Sequence, residues 1–256
     1  MNTIITSQLD KMRISDVCFP EDKTRMTRYS LGDKINEPKL SMDFSIKPIT
    51  ADAKLKVLGF MKKNFFKDEP LNNSVNLIDG KDTTCIELEE YSMSSLDENL
   101  SLMAVSSSGI IVGVIINGKT EIPDINEEPD YIKNCENKKF KKIMKLLHYV
   151  DQEINIPEKY PDSNCLDIKI VSVDNNWRGK GIASALFKKT IEIGKELGFN
   201  LIRTDCSSHF TARLCQRIGF HPIYELKYSE YLDDNEQPVF TPAPPHNSIV
   251  TYILKI

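Results

Sequence analysis

The stretch LDIKIVSVDNNWRGKGIASALFKK, Leu166 to Lys189, decides how this chain is read. Its first eight residues, Leu166 to Val173, are rich in β-branched side chains and read as a strand. From Gly181 onward Ile182, Leu186, Ile193 and Leu197 recur at helical spacing, and Gly198 closes the run as a C-terminal glycine does. Between strand and helix stand Gly179 and Gly181 around Lys180, with Arg178 just before them and no acid until Glu192. Glycine lets a backbone approach a ligand where a Cβ would clash, and the first turn of a helix presents unpaired N–H groups at the positive end of its dipole. Arg178-Gly179-Lys180-Gly181-Ile182-Ala183 is therefore either a plain glycine turn or a cradle for a phosphate. Neither GxxxxGK[ST] nor GxGxxG describes it, because Ser184 stands where the last glycine of the second pattern belongs.

Working outward, Phe44 to Ile49 reads as a first strand. Thr50 is placed to cap a helix with Leu55, Leu58, Met61 and Phe65 on its apolar face and Asp52 in its first turn. Pro70 then redirects the chain. Ser101 to Gly118 reads as a hairpin turning at Ser107 to Gly109, and Lys119 to Lys139 as an acidic, Pro-containing surface loop. Phe140 to Ile154 follows as a helix with Ile143, Leu146, Leu147, Val150 and Ile154 on one face. Asn200 to Cys206 is a strand, Ser208 to Phe220 a short helix and turn, and β segments follow near Ile223 to Tyr228 and Ile249 to Leu254. This order predicts one mixed α/β domain with a partly antiparallel sheet, preceded by a polar, aperiodic and flexible extension over residues 1–44.

Composition narrows the function. A net charge of −4 over 256 residues argues against a nucleic-acid-coating protein, and the lysine-rich NKKFKKIMK run reads as a solvated helix face. Met1 to Leu9 is too polar for a signal-peptide core, and no apolar run is long enough to span a membrane. The six cysteines (Cys18, Cys85, Cys135, Cys165, Cys206 and Cys215) show no CxxC or His/Cys metal spacing. The expectation is a cytoplasmic, monomeric protein with free, mostly buried thiols, no metal, and neither nucleic acid nor membrane as a partner.

In FFKDEPLNNS, Phe65 to Ser74, the acids Asp68 and Glu69 precede Pro70. Proline suits the first position of a helix, so Glu69 is placed at a helix entrance, where the dipole favours its ionised form. Such a carboxylate is either a solvated cap or a proton acceptor. Phe65 and Phe66 are equally readable as core or as the wall of an aromatic pocket. Trp177 reads as packing beside the glycine turn, and His209 and His246 as structural or rim residues.

The glycine turn matches [Q/R]-x-x-G-x-[G/A], the acetyl-CoA signature of the GNAT superfamily of N-acetyltransferases, in the place where that family carries it. FFKDEPLN, SVDNNWRGKGIA, CSSHFTAR, RIGF and VFTPAPPH together resemble, in the same order, the insect arylalkylamine (dopamine) N-acetyltransferases, and the resemblance covers residues 45–256. It implies a GNAT fold, an α+β domain with a central mixed, mostly antiparallel sheet flanked by helices. It also implies acetyl transfer from acetyl-CoA, held by the backbone of Val171, Ser172 and Val173 and by Arg178, Gly179, Lys180, Gly181, Ile182, Ala183 and Ser184. Small arylalkylamines such as dopamine, serotonin, tryptamine, octopamine and tyramine are the implied acceptors. By the same resemblance Glu69 is the general base, acting by direct attack in a ternary complex, and Ser207 and Thr211 supply two hydroxyls at the substrate. Two departures stand out. Thr211 replaces a serine, and Cys215 occupies the position where the wider superfamily often has a tyrosine acid. Acetylation of another amine, such as a polyamine, and non-catalytic acyl-CoA binding are the alternatives.

Overall fold

A computed structural model describes residues 43–79, 84–120 and 127–256. The expected flexible extension lies outside the described residues, apart from its last two positions. The strands are β1 (Phe44–Pro48), β2 (Leu102–Ser106), β3 (Ile111–Lys119), β4 (Cys165–Val173), β5 (Leu201–Cys206), β6 (His221–Lys227) and β7 (Ser248–Lys255). The α-helices are α1 (Lys54–Lys63), α2 (Phe65–Asp68), α3 (Pro70–Ser74), α4 (Ile86–Met93), α5 (Asp130–Lys133), α6 (Lys138–Ile154), α7 (Ile156–Lys159), α8 (Ile182–Glu196) and α9 (His209–Arg217).

The seven strands form one sheet in the order β1-β2-β3-β4-β5-β7-β6. Every pairing is antiparallel except β4 with β5, so the expected mixed, mostly antiparallel sheet is what forms. Buried residues of α1 to α7 pack on one face, among them Val57, Phe66, Leu71, Ile143 and Leu146. Ile182, Leu186 and Ile193 of α8, with Leu214 of α9, pack on the other.

The one parallel pairing is short. β4 and β5 are in register only from Cys165 opposite Leu201 to Ile168 opposite Thr204. Beyond that point β4 pairs only with β3, up to Val173 opposite Gly113, and the register slips at Lys169 as one extra residue enters β4. The two strands splay, and the sheet is breached at their C-terminal ends. The outer half of β4 thus has peptide groups on the β5 side with no strand to pair them.

Local packing departs from the sequence reading in three places. The α1 helix begins only at Lys54, after a 3-10 turn over Ala51–Ala53, and Thr50 makes no capping bond. Its buried face is Val57, Phe60 and Met61, while the expected core residue Leu55 is 82% exposed. The α4 helix was not expected: IELEEYSM has no apolar stripe, and its buried positions are Leu88 and Ser92. Within the expected surface loop, α5 forms and buries Ile132.

Candidate active site

The glycine turn has the geometry of an anion cradle. Gly179 and Gly181 both adopt positive φ, +73° and +82°, which non-glycine residues rarely do. Gly181 is the N-cap of α8 and supplies no side-chain cap, so the first amides of that helix have no acceptor from it. A Cβ built on either glycine would meet nothing within 4 Å, so the concavity is open. Before the turn, the Asp174 carboxylate accepts from the Asn176 N–H at 2.9 Å and shapes the approach.

Arg178 and Lys180 are committed elsewhere. Arg178 donates to Asp68 Oδ2 at 2.8 Å and through Nε to the Val173 carbonyl at 3.3 Å, tying the α2–α3 segment to the end of β4. Lys180 bends back to donate to the Asn176 carbonyl at 2.6 Å and lies 5.1 Å from the centre of the Trp177 ring. Its side chain is the only one of the ten expected cofactor residues that does not reach the cavity described next.

That cavity, of about 1490 Å³, runs through the breach between β4 and β5. One wall carries Val171, Ser172, Val173, Arg178, Gly179, Gly181, Ile182, Ala183 and Ser184. The opposing wall is the α9 face of Phe210, Thr211, Leu214 and Arg217, preceded by Cys206 and Ser207. The floor toward the other face of the sheet carries Phe65, Glu69, Tyr91, Met144, Leu147 and Asp151. All three expected catalytic residues, Glu69, Ser207 and Thr211, line this one cavity. Phe65 also lines it, whereas Phe66 is wholly buried in the core.

Glu69 is held by the local fold. It is extended, with φ −69° and ψ 128°, and caps α3, where Pro70 takes the first position. Its carboxylate accepts from the Asn72 N–H at 2.6 Å, and the residue is only 8% exposed. The sequence placed this acid at a helix entrance correctly; it did not show how deeply the carboxyl is buried. Burial raises its pKa above the ordinary carboxylate value, and the N–H groups of Asn72 and Leu71 with the Ser207 hydroxyl only partly offset that. A carboxylate so placed is a stronger proton acceptor than a solvated one.

Cys215 is not on the cavity wall. It is fully buried, with Sγ 3.7 Å from Cys206 Sγ. All five described cysteines are free. His246 does line the cavity at its rim, where its Nδ1 accepts from the His209 N–H at 3.2 Å.

A second polar group on the cavity wall escaped the sequence reading. Arg203 of β5 is buried and pairs with Asp151 of α6 and, at 2.7 Å, with Asp205. Asp167 of β4 stands close enough for Arg203 to pull its pKa down, yet burial pushes it up to about 7. The signal was present in LIRTDC, because Arg203 and Asp205 are two residues apart and share a strand face. Among the described residues no group of acids, histidines or cysteines is arranged to hold a metal ion. None of their helices is long and apolar enough to cross a membrane.

These features fit coenzyme A. Open, uncapped amides at the head of α8 suit its pyrophosphate, and the unpaired edge of β4 suits a pantetheine arm lying along it. The acetyltransferase (GNAT) family model matches residues 81–220. The fold is similar to that of arylalkylamine N-acetyltransferase 2 from Aedes aegypti, at 32% identity over 84% of this chain and 99% of that one, with a TM-score of 0.78. It is also similar to the Drosophila melanogaster polyamine N-acetyltransferase that forms N-acetylagmatine, at 24% identity over 84% of this chain and all of that one, with a TM-score of 0.74. With the strand breach and the glycine cradle both inside the matched residues, the chain belongs to the acetyltransferase (GNAT) family, whose members are N-acetyltransferases that use acetyl-CoA.

Proposed function

We propose that the chain acetylates the primary amine of small arylalkylamines, with Glu69 as general base. The observation that carries this reading is the buried Glu69 carboxylate on the wall of a cavity that also reaches the α8 cradle. An amine with a lysine-like pKa of about 10.4 is almost wholly protonated at pH 7, and only its neutral form attacks a thioester. Glu69 accepts that proton, Ser207 and Thr211 orient the acceptor, and unpaired amides of outer β4 polarise the thioester carbonyl. Holding amine and thioester together in one slot supplies much of the rate. The aromatic and apolar side chains of Phe65, Tyr91, Met144 and Leu147 give an aryl group its surroundings.

A second reading, favoured by the acid-rich part of the wall, is an acceptor with a second cationic group. Asp151, Asp167 and Asp205 cluster around Arg203 on this wall, and an ammonium or guanidinium seated among them would draw Asp167 into its ionised form. Release of free thiol from acetyl-CoA, measured across a panel of arylalkylamines, diamines and agmatine, separates the two readings. Higher kcat/KM for the arylalkylamines supports the first and higher kcat/KM for the dications the second. Acetyl-CoA binding with no thiol release for any amine would leave only an acyl-CoA-binding protein.

A further inference from the structure

What keeps Ser207 against Glu69? The last ladder pair of β5 is Cys206 with Val250, so Ser207 is the first residue outside the sheet and its carbonyl has no strand partner. The Tyr228 hydroxyl donates to that carbonyl at 3.0 Å. Tyr228 directly follows β6 and is only 2% exposed. Its N–H donates to the Asn247 carbonyl at 3.0 Å, just before β7. Its ring packs against the buried Phe240, with centroids 6.4 Å apart. The phenol is therefore fixed at both ends. It lies behind the cavity wall, out of reach of an acceptor amine, yet close enough to Glu69 that the carboxylate's charge adds to burial in raising the phenol's pKa. Both effects hold the phenol protonated, so its hydroxyl is a donor near neutral pH.

We propose that Tyr228 is a positioning residue for proton transfer: by bonding the Ser207 carbonyl it fixes the first peptide after β5 and so holds Ser207 on the cavity wall it shares with Glu69, with its hydroxyl turned toward that carboxylate. The inference rests on Glu69 being the base. The Ser207 hydroxyl favours ionised Glu69 and works against burial. When the phenol is lost, the Ser207 peptide can turn, its hydroxyl leaves, and Glu69 holds its proton to higher pH. The other titratable groups around this corner are Asp68, paired with Arg178, together with Cys206, Asp205 and the rim pair His209 and His246.

The test uses the full chain with Y228F, S207A and the double variant. Y228F keeps the ring that packs on Phe240 and removes one oxygen. Two properties are measured: the acidic limb of kcat/KM for the amine, and the titration of the Glu69 carboxyl by 13C NMR with E69Q for assignment. Each single variant should move both to higher pH by about one unit, a tenfold loss of kcat/KM below the limb. The double variant should move them no further than either single one, and KM for acetyl-CoA should stay unchanged. An unmoved Glu69 titration in Y228F overturns the proposal. So does an additive double variant, or a loss of rate that follows only melting temperature and KM for acetyl-CoA. The NMR titration needs no turnover, so a wild-type enzyme silent toward every amine would refute the role of Glu69 as base without touching this result.

Discussion

At Glu69 two pulls meet, burial favouring the protonated acid and three hydrogen-bond donors favouring the carboxylate, and burial prevails. The rate should therefore fall as pH drops through a pKa above the ordinary carboxylate range. E69Q should lack that limb and lose about 100-fold or more in kcat/KM near neutral pH, with KM for acetyl-CoA little changed. An unchanged rate in steady-state kinetics would remove Glu69 as base. Its position was readable from Asp68-Glu69-Pro70, since proline fixes a helix entrance locally. Its burial was not, because the desolvating residues come from distant elements. Cys215 shows the same limit. By resemblance it stands where the wider superfamily often has a tyrosine acid, and the fold places it beside Cys206 and off the cavity wall.

Among the elements, the cradle depends on how closely α8 seats on the sheet. Gly113 of β3 lies under the first turn of that helix, and a Cβ there would come within 2.8 Å of Ile182 Cγ2 and 3.3 Å of the Ser172 carbonyl oxygen. Ile182 is β-branched and 1% exposed, so it has little freedom to move aside. G113A should cost roughly 1–3 kcal/mol in a denaturant titration. It should also raise KM for acetyl-CoA several-fold while leaving KM for the amine near its wild-type value. Equal effects on both KM values would disconnect Gly113 from the cradle. The strand-turn-helix unit itself was legible because all its determinants lie within one stretch of chain. On the expected α1 face Met61 is buried and Leu58 packs against the core, but Leu55 is exposed, because the distant elements that cover the helix decide how wide its buried face is. The tie between Asp68 and Arg178 joins residues 110 apart and leaves no local trace.

For the whole molecule, the buried Arg203 cluster links stability to pH. The folded-state pKa of Asp167 is pushed up to about 7 from 3.8, so the fold favours its protonated form. The stability this gives is complete below 3.8 and is lost as pH rises through 7. D167N, which cannot ionise, should match wild type in melting temperature near pH 4. It should then exceed wild type increasingly up to about pH 7, reaching a difference of roughly 2–4 kcal/mol, and run parallel above that. A constant gap across this range in calorimetry would mean that Arg203 keeps Asp167 ionised throughout.

The breach between β4 and β5 has a consequence for inhibitor design. Because the cavity is walled by residues of both layers, it is a window through the sheet and not a pit on one side of it. A conjugate joining an amine to coenzyme A would span that window, its nucleotide end at the head of α8 and its amine end beside Glu69. Such a molecule should bind far more tightly than its amine half or its coenzyme half alone, because one linker seats both ends at once.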